Sequence, residues 1–329
     1  MLPDNQLFNA DGLVLSSRDV ETMNGRVVPG LEKICVKTTV QGFGGKPIAC
    51  RQYAAERPRG TVLVLHGFTE NAFKFSELFH SLLRNGYSVL AYDQRGHGDS
   101  WRAAGLPDTS LTHVDSFEDY VKDLEIVCDQ LLGAMPKPRF IFAHSMGGAV
   151  ASLFLERHQG VFKKAALCSP MIAPNAYGVP APAARLLCAA AKLMGKGAKR
   201  PFMSKPYDGP EDFDTSCATS RERFEWYDQV KAATPLYQNS NPSYGWTYEA
   251  LGVTKKLLAP GEPERIDCPV LLFTAEHDGS VLPGPQEAFI RRVKDGSHAL
   301  VKGARHEIYR STDAVFFPWW HEILAFLEK

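Results

Sequence analysis

No stretch of this sequence approaches the roughly 20 consecutive apolar residues that a membrane-spanning helix requires, so the chain is not expected to cross a bilayer. Nor does it carry an excess of either charge, since Lys plus Arg and Asp plus Glu both total 37. Without a global field, a basic cluster or a reader motif, a nucleic-acid partner is excluded, and any anionic surface would have to meet a local patch. The seven cysteines, Cys35, Cys50, Cys128, Cys168, Cys188, Cys217 and Cys268, include no close pair of the metal-binding or redox kind. They are expected to be reduced thiols packed as small hydrophobes, as Cys168 would be after Ala165, Ala166 and Leu167. The stretch Met1 to Ala10 has neither a basic start nor an apolar run, so a cytoplasmic location is expected, with peripheral membrane contact left open. There is no internal repeat and no low-complexity linker. Gly44, Gly45 and Lys46 lack the spacing of a phosphate loop and read as a turn.

What is present is enough apolar residue, 44% of 329, to build a large core around one or two domains. Ile34 to Tyr53 reads as a hairpin about its glycines. From Thr61 onward the pattern alternates. Short continuous apolar runs at 61–65, 88–92, 139–143 and 165–168 suit strands buried on both faces, and helical stretches at 73–84, 117–132 and 147–157 separate them. This predicts an α/β fold with a mostly parallel central sheet and helices on both faces.

The rhythm breaks at Ser169 and Pro170 and resumes at Val270. The organisation expected is therefore a core in two parts, 1–170 and 265–329, with a largely helical cap inserted over 171–264. One cap helix is predicted, 183–194, followed by an irregular region rich in Gly, Pro and aromatics. Leu186, Leu187, Ala190, Leu193 and Met194 form an apolar face on that helix, which either lines a lipid entrance or packs on the core; packing is the expectation. In the second core part the strands are expected at 270–275 and 298–301 and the helices at 285–293 and 313–327. The terminal helix carries Phe316, Phe317, Trp319 and Trp320, expected to pack it onto the sheet.

The sharpest local signal is Ala143-His144-Ser145-Met146-Gly147-Gly148, set between a predicted strand and a predicted helix. A serine there occupies a tight turn that lifts its hydroxyl above the sheet edge, and small residues must flank it. The backbone N–H of Met146, at the helix start, would form half of an oxyanion hole; Phe68, in His66-Gly67-Phe68 after an earlier strand, would supply the other half. A serine hydroxyl needs a base, and the base an orienting carboxylate, in the chain order serine, acid, histidine. Asp278 in Ala275-Glu276-His277-Asp278 is the acid, with Glu276 in reserve, and His306 in Gly303-Ala304-Arg305-His306-Glu307 is the base. His298 and His321 have structural roles open to them.

With these residues in place the chain resembles the monoacylglycerol lipase and lysophospholipase L2 group of α/β-hydrolases, which shares a serine-aminopeptidase-like pattern. The resemblance rests on His66-Gly67-Phe68-Thr69-Glu70, Asp93-Gln94-Arg95-Gly96-His97-Gly98-Asp99-Ser100, His144-Ser145-Met146-Gly147-Gly148, Glu276-His277-Asp278 and Gly303-Ala304-Arg305-His306-Glu307. It implies the α/β-hydrolase fold and a carboxylic ester hydrolase that works without cofactor or metal, through an acyl group on Ser145 and water activated by His306. It also implies a small-molecule or lipid ester as substrate and a structural role for His97. Substrate-binding residues in the cap are not transferable, and the oligomeric state is not legible. The same triad would serve an amidase, a peptidase or an acyltransferase, and a non-catalytic ligand-binding member of the fold is the alternative outside enzymes.

Overall fold

Two strands buried along their whole length, Gly60–Leu65 and Tyr87–Tyr92, demand cover on both faces of the sheet. The computed structural model describes residues 19–202 and 204–329 and meets that demand; Met1 to Ala10 lies outside the described residues.

A helical run over 19–34 (α1) opens the described chain, with a π-helical stretch at Met23–Val27. Strands β1 (Cys35–Gly42) and β2 (Lys46–Tyr53) pair antiparallel in the expected hairpin. Its turn uses Gly44 at φ 70° and Gly45 at φ 68°, a region that a side chain would disfavour. The alternating core follows: β3 (Gly60–Leu65), α2 (Ser76–Arg84), β4 (Tyr87–Tyr92), a two-residue strand β5 (Leu111–Thr112), α3 (Glu118–Gln130), β6 (Arg139–His144), α4 (Met146–Arg157) and β7 (Lys164–Cys168). The chain then leaves the sheet through α5 (Ala181–Leu193), α6 (Arg221–Ala233), a short strand β8 (Asn241–Pro242) and α7 (Tyr244–Leu257). It returns with β9 (Val270–His277), α8 (Pro283–Ile290), β10 (Gly296–Arg305) and α9 (Asp313–Glu328).

The eight-stranded sheet runs β1-β2-β4-β3-β6-β7-β9-β10, antiparallel at β1–β2 and β2–β4 and parallel elsewhere. The chain goes from β3 out to β4, then back across β3 to β6. That reversal opens a crevice at the C-terminal ends of β3 and β6, where ligands bind in open α/β sheets. One face is covered by α3, α4, α7 and α8, through residues such as Leu124, Phe154, Val253 and Phe289. The other is covered by α1, α2 and α9, through Val27, Phe79, Trp319 and Trp320. Phe316, Trp319 and Trp320 are buried and Phe317 half-buried, so the aromatic cluster packs the terminal helix as its composition predicts.

The excursion between β7 and β9 departs from the sequence reading in two ways. Two helices, α6 and α7, lie where an irregular region is expected. Each begins on a serine whose side chain accepts a backbone N–H three residues on, Ser220 from Arg223 and Ser243 from Trp246. Their interleaved aromatics and the glycines of α7 mask the helical period. The second departure is the apolar face of α5. Packing is the expectation, yet Leu186 and Leu193 are 72% and 91% exposed, and Leu187, Ala190 and Met194 are exposed too. The helix instead buries its small face, Cys188 and Ala191. It packs on α7, where Gly252 lies under the guanidinium of Arg185, which also stacks over Tyr248 at 4.3 Å, and Lys192 pairs with Glu249 at 3.2 Å.

These burials separate two substitutions sharply. Trp320→Ala removes a side chain that is 1% exposed and donates its indole N–H to Ser81 Oγ at 2.7 Å. It should lower unfolding free energy by about 3–5 kcal/mol. Leu193→Asp should change it by less than about 0.5 kcal/mol, both read from urea denaturation; equal losses would contradict the observed packing.

Candidate active site

Strand β6 ends at His144 and α4 begins at Met146, leaving Ser145 as the single residue of the turn. Its backbone sits at φ 50°, ψ −117°, a strained position for a residue with a Cβ. The turn is held from both sides: Ser145 donates its N–H to Cys168 O at 3.1 Å, and its carbonyl accepts Met171 N–H at 2.8 Å. The small residues after it are obligatory. A Cβ on Gly147 would come within 2.6 Å of His66 O, and one on Gly148 within 2.6 Å of Pro170 Cβ.

The loop after β3 closes in from the neighbouring strand. Gly67 lies so near the elbow that an added Cβ would be 2.9 Å from Ser145 Cβ. Phe68 follows, its ring against Trp246 of α7 with centroids 4.0 Å apart and edge-on to His97 at 5.8 Å. Met146, on the other side of Ser145, stands at the N-terminus of α4, where backbone N–H groups are unpaired within the helix and the dipole favours negative charge.

The remaining two residues come from the far part of the chain. Strand β9 delivers Asp278 one residue past its end. One carboxylate oxygen accepts the backbone N–H groups of Ser280 at 2.8 Å and Val281 at 3.0 Å, and the other lies 2.8 Å from His306 Nδ1. Strand β10 runs longer than the apolar pattern predicts, through Gly303 at φ 72° and a register slip between Val301 and Arg305, and releases His306 at its end. His306 Nε2 is 2.8 Å from Ser145 Oγ. An ionised carboxylate only accepts, so Nδ1 carries the hydrogen and Nε2 is left to receive the hydroxyl proton. Burial works to raise the Asp278 carboxyl, but His306 and the two backbone N–H groups outweigh it and hold it below its ordinary value. Ser145 is 7% and His306 6% exposed, so the three groups meet in a nearly closed, weakly screened setting.

The five residues singled out from the sequence thus come together at the C-terminal edge of β3, β6, β9 and β10. Glu276 is exposed and accepts the N–H of Gly303 at 2.8 Å, leaving Asp278 as the carboxylate on His306. His298 pairs with the Thr274 hydroxyl at 2.8 Å, and His321 lies inside α9. His97 is fully buried, with Nδ1 3.1 Å from Arg95 O and Nε2 without a hydrogen-bond partner among the described residues. Among the described residues, no group of three or more His, Cys, Asp or Glu side chains could hold a metal ion. Three site residues escaped sequence reasoning. Trp246 walls the Phe68 loop from a segment read as irregular, while Glu70 and His144 stood inside the recognised motifs without a role.

Residues 56–313 match the family model described as serine aminopeptidase, S33. The chain is 30% identical over 306 residues to lysophospholipase L2 of Escherichia coli, covering 88% of this chain and 86% of that protein. It is 25% identical over 281 residues to the monoacylglycerol lipase of Mycolicibacterium smegmatis, covering 83% and 90% of the two. Among solved structures, a soluble variant of the Saccharomyces cerevisiae monoglyceride lipase in complex with a substrate analog superposes with a TM-score of 0.70 at 21% identity, over 90% of this chain and 96% of that one.

The Asp278 contacts generate a prediction in two readouts. Asp278→Asn should lower the rate of Ser145 acylation about three to four orders of magnitude, because Nδ1 would no longer be held as the donor. Since the folded carboxyl titrates below its unfolded value, its contribution to stability is full above the unfolded value and is lost as pH falls through the folded one. The variant should therefore show a flatter acid limb in a plot of stability against pH; an unchanged limb would count against the bond.

Proposed function

We infer the activity of this chain from the family to which it belongs, the serine aminopeptidase S33 family of α/β-hydrolases. It is an esterase- or lipase-type hydrolase, and we read it as a lysophospholipase or monoacylglycerol lipase-like enzyme. The observation that carries the reading is the continuous contact Ser145 Oγ, His306 Nε2, His306 Nδ1, Asp278 Oδ2, each link 2.8 Å, in a chain 30% identical to lysophospholipase L2 over most of its length.

In this reading His306 takes the Ser145 proton as Oγ attacks the ester carbonyl carbon, and the negative charge moves to the carbonyl oxygen. The N–H groups of Phe68 and Met146 bind that oxygen as its charge develops, which is where preorganised donors lower the barrier most. Collapse of the intermediate breaks the bond to the alcohol, which leaves with the proton from His306 Nε2. Water then gives a proton to His306, attacks the acyl carbon and releases the fatty acid, restoring the Ser145 hydroxyl. Asp278 keeps one edge of the imidazole occupied throughout and stabilises the imidazolium.

No helix among the described residues is long and apolar enough to cross a membrane. For a lipid substrate the exposed leucines of α5 supply another route. Leu186, Leu187, Leu193 and Met194 are exposed, with exposed Arg185 and Lys196 near them in sequence. An apolar stripe edged by basic side chains suits a helix that lies on an anionic lipid surface, so peripheral contact belongs to this reading.

The test is an ester panel from short p-nitrophenyl esters to monoacylglycerol and lysophosphatidylcholine, followed by acid release. Ser145→Ala should abolish turnover on every member, and a ranking led by the lysophospholipid or the monoacylglycerol is expected. Preference for an amide over all esters would overturn the reading. Leu187→Asp with Leu193→Asp should reduce hydrolysis of long-chain substrate in anionic vesicles about tenfold and leave a short soluble ester untouched; equal loss on both would remove the membrane contact.

A further inference from the structure

Glu70 is a carboxylate 2% exposed, and four donors converge on it. One oxygen takes the Gly67 N–H at 2.5 Å and lies 2.9 Å from His144 Nδ1. The other takes the Tyr309 hydroxyl and lies 3.0 Å from Lys74 Nζ. A buried carboxylate is tolerated only with such company. What matters is where the donors come from: Gly67 precedes Phe68 in the loop after β3, His144 precedes Ser145, and Tyr309 lies three residues past His306.

The other edge of His144 reaches the third segment directly. Its Nε2 is 3.3 Å from the backbone carbonyl of His306, and the two rings lie with centroids 4.9 Å apart. Both partners of His144 are acceptors, a carboxylate at Nδ1 and a carbonyl at Nε2. The form that satisfies both acceptors is the imidazolium, with hydrogen on each ring nitrogen. Beyond the pair, Lys74 bridges to Glu307 at 2.6 Å, and Arg310 reaches Glu307 at 2.7 Å. Lys74 and Arg310 balance Glu70 and Glu307, so the charge on His144 is surplus, one residue from Ser145.

We propose that Glu70 and His144 are a positioning pair for the reaction. Glu70 holds the Phe68 loop through Gly67 and, through the imidazolium of His144, holds the backbone of His306. One buried carboxylate thereby keeps an oxyanion donor, the nucleophile turn and the base in register. The inference rests on the reading of Ser145 and His306 given above. Neither Glu70 nor His144 touches the reacting atoms in it.

The titration behaviour agrees. Burial works against charge on both groups, yet Lys74 and His144 hold Glu70 well below its ordinary value, and Glu70 raises His144. The charged or titratable groups facing His144 are Glu70, His306 and Tyr309, with Glu307, Lys74 and His66 in the next layer. As pH rises, His144 loses the proton that it donates to His306, so the pair should impose an alkaline limb on kcat.

Glu70→Gln, His144→Gln and Tyr309→Phe test this in the full chain, with a short soluble ester, a fluorophosphonate probe and a thermal melt for each variant. Glu70→Gln is expected to lower kcat and the probe reaction about 100-fold with KM little changed, as misplacement by an ångström does. His144→Gln can donate an amide N–H to the His306 carbonyl but cannot titrate, so a loss of about tenfold together with a vanished alkaline limb is expected. If Glu70→Gln does not fold, His144→Gln and Tyr309→Phe decide, the latter by a several-fold fall in kcat at unchanged KM. Folded variants with the wild-type rate and pH profile, or with a lower melting temperature alone, overturn the pair as a positioning device. A wild type inert to both ester and probe fails earlier, at the triad itself, and takes this inference with it.

Discussion

Everything at the site depends on one strained residue. Ser145 at φ 50° stores on the order of 1–3 kcal/mol, and the turn persists because its surroundings leave no relaxed alternative. The turn is pinned to β7 through Cys168 and to the chain beyond it through Met171, while Gly147 presses against the carbonyls of β3 and its loop. The same tightness brings Gly67 against Ser145 and so sets where the flanking N–H groups stand. A serine on a relaxed loop would have none of these relations, and those at Gly67 and Gly147 need the close approach that a glycine without a side chain permits.

That constraint makes demands on the other half of the sheet. His306 must arrive within hydrogen-bond reach of a hydroxyl whose position is already set, and it does so from the end of the outermost strand. The irregularity at Gly303 in β10, with Asp278 one residue past the end of β9, adjusts that arrival locally. Asp278 is tied to the two backbone N–H groups that follow it before it meets the histidine, so the carboxylate is fixed independently of the ring it orients. The buried charges under the site extend this logic. Glu70, Lys74, Glu307 and Arg310 satisfy one another with little water nearby, and such a network tolerates only one arrangement of the segments that carry it.

The core and the three residues that meet at Ser145, His306 and Asp278 were legible in the sequence for a common reason. A parallel strand buried on both faces needs a short unbroken apolar run, and a nucleophile elbow needs small residues at set offsets; both demands are local and leave local marks. His306 was reached by chain order and by its loop after the last strand. Glu70 and His144 were visible as letters in motifs but carried no legible role, because their meaning lies in contacts spanning 74 and 162 residues of sequence. The two missed helices, α6 and α7, did carry marks. Ser220 and Ser243 cap them, but a capping serine is common outside helices, and the aromatics around it blur the period that would have decided the matter.

The misread face of α5 is the more instructive failure. Amphipathicity reveals that a helix has two unlike faces, and the usual inference that the apolar one is buried rests on hydrophobic free energy being available only inside the protein. On α5 the small face allowed close approach to α7, with Cys188 and Ala191 buried, Gly252 beneath Arg185, and ion pairing from Lys192 completing the contact. The leucines were then left largely exposed. An exposed contiguous row of large aliphatic side chains is disfavoured in an isolated protein. On the proposed lipid-esterase reading, that cost is offset when the row meets an apolar phase. On that reading the same four side chains that mislead a reading of the fold suit a lipid surface, which accepts an apolar stripe without a matching pocket.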